Sequence, residues 1–313
     1  MTTQLINKRH IKKICNVLRK GGIIIYPTET SYGIGCDATN KKAIKKIYDI
    51  KNRDRNKPLI TLVQNEKMAE KYIKLNKVSR KLLKKFSNRP LTLVCDSKLL
   101  PNILGENSFR ISSDKFVQKL IRSYKKPITS TSANISGSEA LFKIAQVKKV
   151  FGGKVDLIVD GGTLKKKKLS TVFDTRSLKV LRKGAISSKE IYETISKSIV
   201  ICGGCFNIAH KGHEYFLKKA KSKGDYLIVV VSNDKRNREK YGKYAKSALV
   251  RKIAIENLWI ADKVVVGDKG NIFNIIKKEK AGIVVLGYDQ KNVPKDVKKK
   301  YNLKISRIDK LNL

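Results

Sequence analysis

The 313-residue chain carries 70 Lys+Arg against 26 Asp+Glu, a formal net charge of +44, with 41% hydrophobic and 31% charged residues. At about 100–200 residues per domain the length accommodates two domains, each able to bury a core, and the hydrophobic share excludes a wholly disordered chain. No apolar run approaches the ~20 residues that cross a bilayer, residues 1–20 hold no hydrophobic signal block, and five cysteines form no disulfide framework, so a cytoplasmic protein with no membrane partner is expected.

The first half alternates helical and strand patterns. Ile11, Ile14, Cys15 and Leu18 share a helical face that stops at Gly21 and Gly22. Residues 23–26 form an apolar β-type run closed by Pro27, and helical spacing returns at Ala43, Ile44, Ile47 and Ile50. Strand-like runs at 59–63 and 91–95 alternate with helical patterns around 78–86 and 116–121. Further strands are expected at 156–160, 171–174 and 179–181, then a helix over about 188–196. The alternation indicates an α/β domain over residues 1–196. A second domain, 197–313, opens strand (199–202), loop, helix (214–221), strand (227–231), a βαβ beginning.

Only 14 of the 70 basic residues are arginine, and the charge is spread over both halves. Nucleic-acid readers place arginine for bidentate contacts, so the lysine excess reads mainly as compositional background. A basic surface with weak tRNA or double-stranded RNA affinity is the alternative.

Three segments of the first half carry polar residues that a core pattern does not require. "YPTETSYGIGCD" (26–37) offers the hydroxyls of Thr28, Thr30 and Tyr32, with Gly33 and Gly35 letting backbone approach a ligand. "IKNRDRNKPLI" (50–60) clusters Lys51, Arg53 and Lys57 at a helix end, the charge a polyphosphate needs. "PITSTSANISG" (127–137) places Ser130, Ser132 and Asn134 where uncharged donors suit a carboxylate or carbamate. Each alone also fits a turn, a solvated face or a helix cap.

Together these segments resemble the YrdC-type threonylcarbamoyl-AMP synthase family. The resemblance continues through "RPLTLV", "DLIVDGG", "STVFD" and "VLRKGAI" and covers roughly residues 10–188 in order. It implies a YrdC-like twisted mixed sheet with flanking helices. It also implies an enzyme that joins L-threonine, bicarbonate or CO2, and ATP (with Mg2+) into threonylcarbamoyl-AMP, releasing pyrophosphate. The product would pass to a threonylcarbamoyl transferase that modifies tRNA. On this resemblance Thr30 and Tyr32 lie against threonine with Ser132 and Asn134 nearby, Thr28 and Ser130 are further substrate-binding candidates, and Lys51, Arg53 and Lys57 grip the triphosphate. Ser170 and Arg182 would complete the nucleotide pocket. Arg110 is kept as a site residue, although Ile111 and Ser112 follow it where the family usually has Arg-x-Pro. The half resembles the short, single-domain form of the family.

In the second half, "VICGGCFNIAHKGHEYFLKKA" sets Gly203, Gly204 and Phe206 ahead of His210 and His213 at the start of a helix. Two imidazoles at a helix N-terminus suit phosphate binding. Cys202, Cys205, His210 and His213 are four possible zinc ligands, but their spacing is tighter than structural zinc sites show. The H-x-G-H spacing resembles the cytidylyl/adenylyltransferase superfamily, a Rossmann-like fold. "ADKVVVGD" and "VVLGYDQ" look most like archaeal FAD synthase, which adenylates FMN. That resemblance places Gly287 and Asp289 in the nucleotide pocket and His210 and His213 on ATP phosphates. Asn207 stands where Asp is usual, and the family's C-terminal Ser/Thr motif is not found, so either Lys246, Ser247 and Arg251 replace it or this half is impaired. Two other readings stay open: an RNA-binding or ribosome-associated factor without turnover, and a second domain that binds nucleotide without catalysis.

Overall fold

Short runs of β-branched and aliphatic residues recur between amphipathic helices, and these runs become strands. A computed structural model describes residues 2–87, 89–101, 108–268 and 272–311. The chain divides into two units, Met1–Ser188 and Lys189–Leu313. The helix Ser188–Ser196, expected to close the first half, therefore falls almost wholly in the second.

The first unit contains strands β1 (Gln4–Asn7), β2 (Ile24–Pro27), β3 (Tyr32–Gly35), β4 (Ile60–Val63), β5 (Ile73–Lys74), β6 (Leu91–Val94), β7 (Asp96–Ser97), β8 (Ser108–Ile111), β9 (Ile128–Ser132), β10 (Leu157–Asp160), β11 (Thr171–Asp174) and β12 (Lys179–Arg182). Its helices are α1 (Ile11–Arg19), α2 (Lys41–Lys51), α3 (Glu66–Tyr72), α4 (Lys77–Phe86), α5 (Lys115–Tyr124) and α6 (Ile144–Phe151). Ten strands form one mixed sheet in the order β1-β10-β2-β3-β9-β4-β8-β6-β11-β12, and β5 pairs with β7 separately. Strand β1 was not expected, because its polar and exposed residues carry no apolar alternation.

Residues opposite each other across a ladder lie on the same face. Tyr26 opposes Gly33, and Gly33 opposes Ser132. Ser130 and Ile128 oppose Ile60 and Leu62, and Leu62 opposes Arg110. Leu93 opposes Phe109, which puts their neighbours Thr92 and Arg110 on one face, and Val172 links Thr92 to Arg182. One sheet face is thus divided. Ile24, Leu62 and Ile128 pack under Ile11, Ile14 and Leu18 of α1 and Val117, Leu120 and Ile121 of α5. Each such side chain contributes about 1.5–3 kcal/mol by its burial, which anchors these helices. The same face also carries Ser130, Ser132, Thr92, Arg110 and Arg182, and these polar residues are the material of the candidate site.

In the second unit β13 (Ile199–Gly204), β14 (Tyr226–Val231), β15 (Lys263–Val266), β16 (Ile283–Gly287) and β17 (Lys304–Ile308) form a sheet in the order β15-β14-β13-β16-β17. Every pairing is parallel. Helices α7 (Ser188–Ser196), α8 (Lys211–Lys221), α9 (Asp234–Tyr241), α10 (Ala248–Glu256), α11 (Ile272–Glu279) and α12 (Lys295–Lys300) connect or flank the strands. The strand order reverses between β13 and β16, and open α/β sheets bind ligands beyond the carboxyl ends of strands at such a point. Strand β13 runs two residues past its expected end at 202, so Gly203 and Gly204 are its last residues and not a following loop.

Candidate active site

The β2–β3 turn is organised by one hydroxyl. Thr28 Oγ1 accepts from the backbone N–H of Thr30 at 3.2 Å and of Ser31 at 3.3 Å, and it donates to Ser31 O at 2.7 Å. Threonine supports such turns by offering the backbone a local partner. The Tyr32 hydroxyl is equally committed, receiving Gly161 N–H at 2.9 Å and donating to Gly162 O at 2.9 Å. These two residues shape the turn and pin the Gly161–Gly162 segment beside it. Gly35 also has a packing reason: a Cβ there would lie 2.0 Å from Thr129 O of the neighbouring strand. Strand contact, not ligand approach, explains that glycine.

Helix α2 ends where Asn52 adopts φ +49° and returns its N–H to Asp49 O and Tyr48 O. This stop leaves Lys51 on the last turn, 1% exposed, pointing into the protein. Its Nζ donates to Ser132 O at 2.5 Å, Asn134 O at 2.5 Å and Asn134 Oδ1 at 3.2 Å. Its own carbonyl accepts from Ser136 N–H at 2.9 Å. Lys51 therefore fastens the loop after β9, and Ser132 Oγ donates to Asn134 Oδ1 at 2.5 Å within it. Burial, with the charge of Arg53 added, pulls the Lys51 ammonium down to about 7. Arg53 folds back on the next turn, donating to Lys57 O at 3.2 Å and Pro58 O at 3.0 Å. Lys57 is exposed beside it.

The Tyr26 hydroxyl donates to Thr129 O at 3.2 Å, and burial pushes this phenol above its ordinary range while Ser130 and Arg110 act against that rise. Arg110, 5% exposed, lies 3.5 Å from Glu29 Oε1 through Nη2. Ser112 Oγ donates to the other carboxylate oxygen of Glu29 at 2.7 Å. Arg182 donates through Nη2 to Ser170 O and Ser170 Oγ, both at 2.9 Å, and Thr92 Oγ1 lies 2.8 Å from Ser170 Oγ. Burial, then the charge of Arg110, lowers Arg182 from its ordinary value.

In the second unit His210 caps α8, its Nδ1 accepting from Gly212 N–H at 3.1 Å. Its ring lies 3.8 Å from that of His213, and His213 meets Phe206 edge-on at 5.0 Å. Burial, then the charge of His210, holds His213 below its usual value. His213 Nδ1 is buried with no hydrogen-bond partner. Gln290 bridges the switch point by accepting from Gly287 N–H at 3.0 Å and donating to Gly203 O at 2.6 Å. Asp289 is exposed and within electrostatic reach of His213. Phe206 is buried against Gly204, which makes it a packing residue.

Residues 16–184 match the Sua5/YciO/YrdC family model, described as telomere recombination. The chain belongs to the Sua5/YciO/YrdC family. Residues 201–309 match the cytidylyltransferase-like family model. A putative threonylcarbamoyl-AMP synthase of Methanocaldococcus jannaschii is 34% identical over 195 residues, which cover 59% of this chain and 93% of that protein. The threonylcarbamoyl-AMP synthase of Vibrio vulnificus is 31% identical over 183 residues, covering 56% of this chain and 98% of that one. Among solved structures, P. abyssi Sua5 complexed with L-threonine aligns with a TM-score of 0.58 at 23% identity, covering 98% of this chain and 100% of that one. E. coli YciO aligns with a TM-score of 0.56 at 25% identity, covering 60% and 99%. The Sua5 likeness is one of fold and extends over the second unit, beyond the short form that the motifs alone resemble.

The fold brings Lys51, Ser132 and Asn134 into one hydrogen-bond network and Ser170 and Arg182 into a second, while Arg110 pairs with Glu29. Thr28 and Tyr32 serve the turn. Ser247 caps α10, and Arg251 is fully buried, its donors spent on carbonyls and side chains. Asn207 is buried, with Oδ1 accepting from Lys246 N–H at 2.8 Å and Asn237 Nδ2 at 2.9 Å. Sequence reasoning missed Glu29, Tyr26 and Ser112. The available signal was a lone carboxylate inside a Thr-rich turn directly after an apolar strand.

Proposed function

We propose that the first unit is a threonylcarbamoyl-AMP synthase, joining ATP, L-threonine and bicarbonate or CO2 with release of pyrophosphate. One observation supports the reading. Lys51 of the second motif segment bonds Ser132 and Asn134 of the third, and Gly33 of the first opposes Ser132 across the sheet. The relatives named threonylcarbamoyl-AMP synthase align over almost their whole length. In this reaction the carbamate oxygen of N-carboxythreonine forms the new bond to the α-phosphorus as the bond to pyrophosphate breaks. The nucleophile comes from the substrate, so the protein's task is placement and charge neutralisation. Lys51 shapes the Ser132–Asn134 loop, Arg53 and Lys57 meet the departing phosphates, and Arg182 with Ser170 holds the nucleotide. Mg2+ enters as part of the MgATP substrate. The acyl phosphate product is labile and passes to a transferase that modifies tRNA.

For the second unit we propose nucleotidyl transfer at the β13–β16 switch point, with FMN as the acceptor. The paired imidazoles of His210 and His213 at the start of α8 support this reading.

The test is a nucleotide-product assay on the full chain. Pyrophosphate release that requires threonine and bicarbonate together is the expected result. Release without threonine, or strong salt-dependent RNA binding with no turnover, overturns the first assignment. The same assay with ATP, Mg2+ and FMN should yield FAD, and reaction of CTP with a polyol phosphate instead overturns the second.

A further inference from the structure

Most large apolar side chains that meet solvent among the described residues are isolated in the sequence, which is ordinary. Helix α10 is different. Ala248, Arg251 and Ile255 are buried on one side, while Leu249, Val250 and Ile253 are 64%, 51% and 46% exposed. A helix apolar on both sides is normally covered on both. Trp259, the only tryptophan of the chain, follows this helix and is 88% exposed. It also adopts φ +55°, a left-handed conformation that is unfavourable for so bulky a residue. Its N–H donates to Glu256 O at 3.0 Å, which ties it to the last turn. A side chain this exposed adds little core packing to offset that conformation.

We propose that this face makes a two-fold contact with the same face of a second copy of the chain. Area, symmetry and charge support that occupant. The four side chains expose on the order of 500 Å2, so a two-fold contact removes about 1,000 Å2 from water, the lower limit for a specific interface. Leu249 and Ile253 lie one turn apart, so antiparallel helices can set Leu249 of each copy against Ile253 of the other, as a two-fold axis requires. The helix presents no unpaired charge, since Arg251 is buried and Lys252 lies 3.5 Å from Glu256. An acidic protein or an RNA finds nothing there to pair with, whereas a second copy meets no like charge at the contact. Trp259 supplies a large, rigid anchor of the type that dominates such contacts. The net charge of +44 repels a copy at longer range, so the association should tighten as salt screens it.

The experiment follows sedimentation equilibrium and tryptophan emission of the full chain over about 1–100 µM, the range expected of a contact this small, at low and high salt. Wild type is expected to form a dimer whose Kd falls at high salt. Emission should move to shorter wavelength as the dimer forms, because Trp259 alone reports it. Trp259→Gly should raise the Kd about 30-fold or more, the scale of an interface anchor. The melting temperature of the diluted monomer should stay level or rise in that variant, because glycine takes the left-handed conformation freely. A merely structural tryptophan would lower it. Ile253→Glu, which buries a carboxylate in the contact, should abolish the dimer and keeps the test open if Trp259→Gly does not fold. A monomer at every concentration and salt overturns the proposal. A dimer that both variants leave intact, or an association that weakens with salt and needs RNA, overturns it equally.

Discussion

Lys51→Met should reduce threonine-dependent pyrophosphate release by about 10²-fold or more, the scale of removing one preorganised group from a charged transition state. The structure supplies a reason beyond lost charge. Lys51 Nζ holds two carbonyls and one amide oxygen of the loop after β9, and methionine fills the space without replacing a donor. Each buried acceptor left unpaired costs about 1–3 kcal/mol, so residues 132–138 should also lose amide-exchange protection. The pH dependence has a definite sign. Burial brings the folded-state value to about 7, below the ordinary lysine value of 10.5. Between those values the unfolded chain binds the extra proton, so this residue's contribution to stability rises with pH across that window and is constant below it. The melting temperature of wild type relative to Lys51→Met should therefore increase from pH 7 to pH 9. A flat or falling difference would contradict the burial argument, and undiminished turnover would remove Lys51 from the site.

Arg251→Met should destabilise the second unit by about 1–3 kcal/mol, the cost of leaving its hydrogen-bond acceptors without a donor. Arg251 is 0% exposed. It donates to Lys246 O at 2.9 Å, Cys205 O at 2.7 Å, Ser232 Oγ at 3.1 Å and Asp234 Oδ1 at 3.2 Å. Asp234 is partly exposed and solvated, so most of the loss comes from the part-buried carbonyls and hydroxyl. Against a typical stability of about 5–15 kcal/mol that is a large fraction. Hydrogen exchange should show protection falling across residues 199–266 and retained across 24–182, with pyrophosphate release within about 2-fold of wild type. Loss of protection in both units together would show that the second does not unfold separately.

Much of the architecture was legible because periodic burial marks the elements. The spacing of Ile11, Ile14, Cys15 and Leu18 marks α1, and the apolar run at 59–63 contains β4. Strand β1 was not legible, since its pairing with β10 through backbone hydrogen bonds leaves every side chain but that of Ile6 exposed. The sequence motifs likewise contained Lys51, Arg53, Ser132, Ser170 and Arg182 without showing which of them touch.

By itself, then, the sequence determined two α/β units and the inventory of cations and hydroxyls, because composition and periodicity are local properties of the chain, and its motifs resembled the two families. Only the tertiary structure decided how those groups are used. Thr28 and Tyr32 turn to backbone partners, Arg251 is spent inside the second unit, and Glu29 meets Arg110 with atoms unpaired. The background lysines lie mostly at the surface, where water solvates their charge. Lys51 differs because α2 ends on it and turns it inward, and its desolvation there sets its protonation near neutral pH.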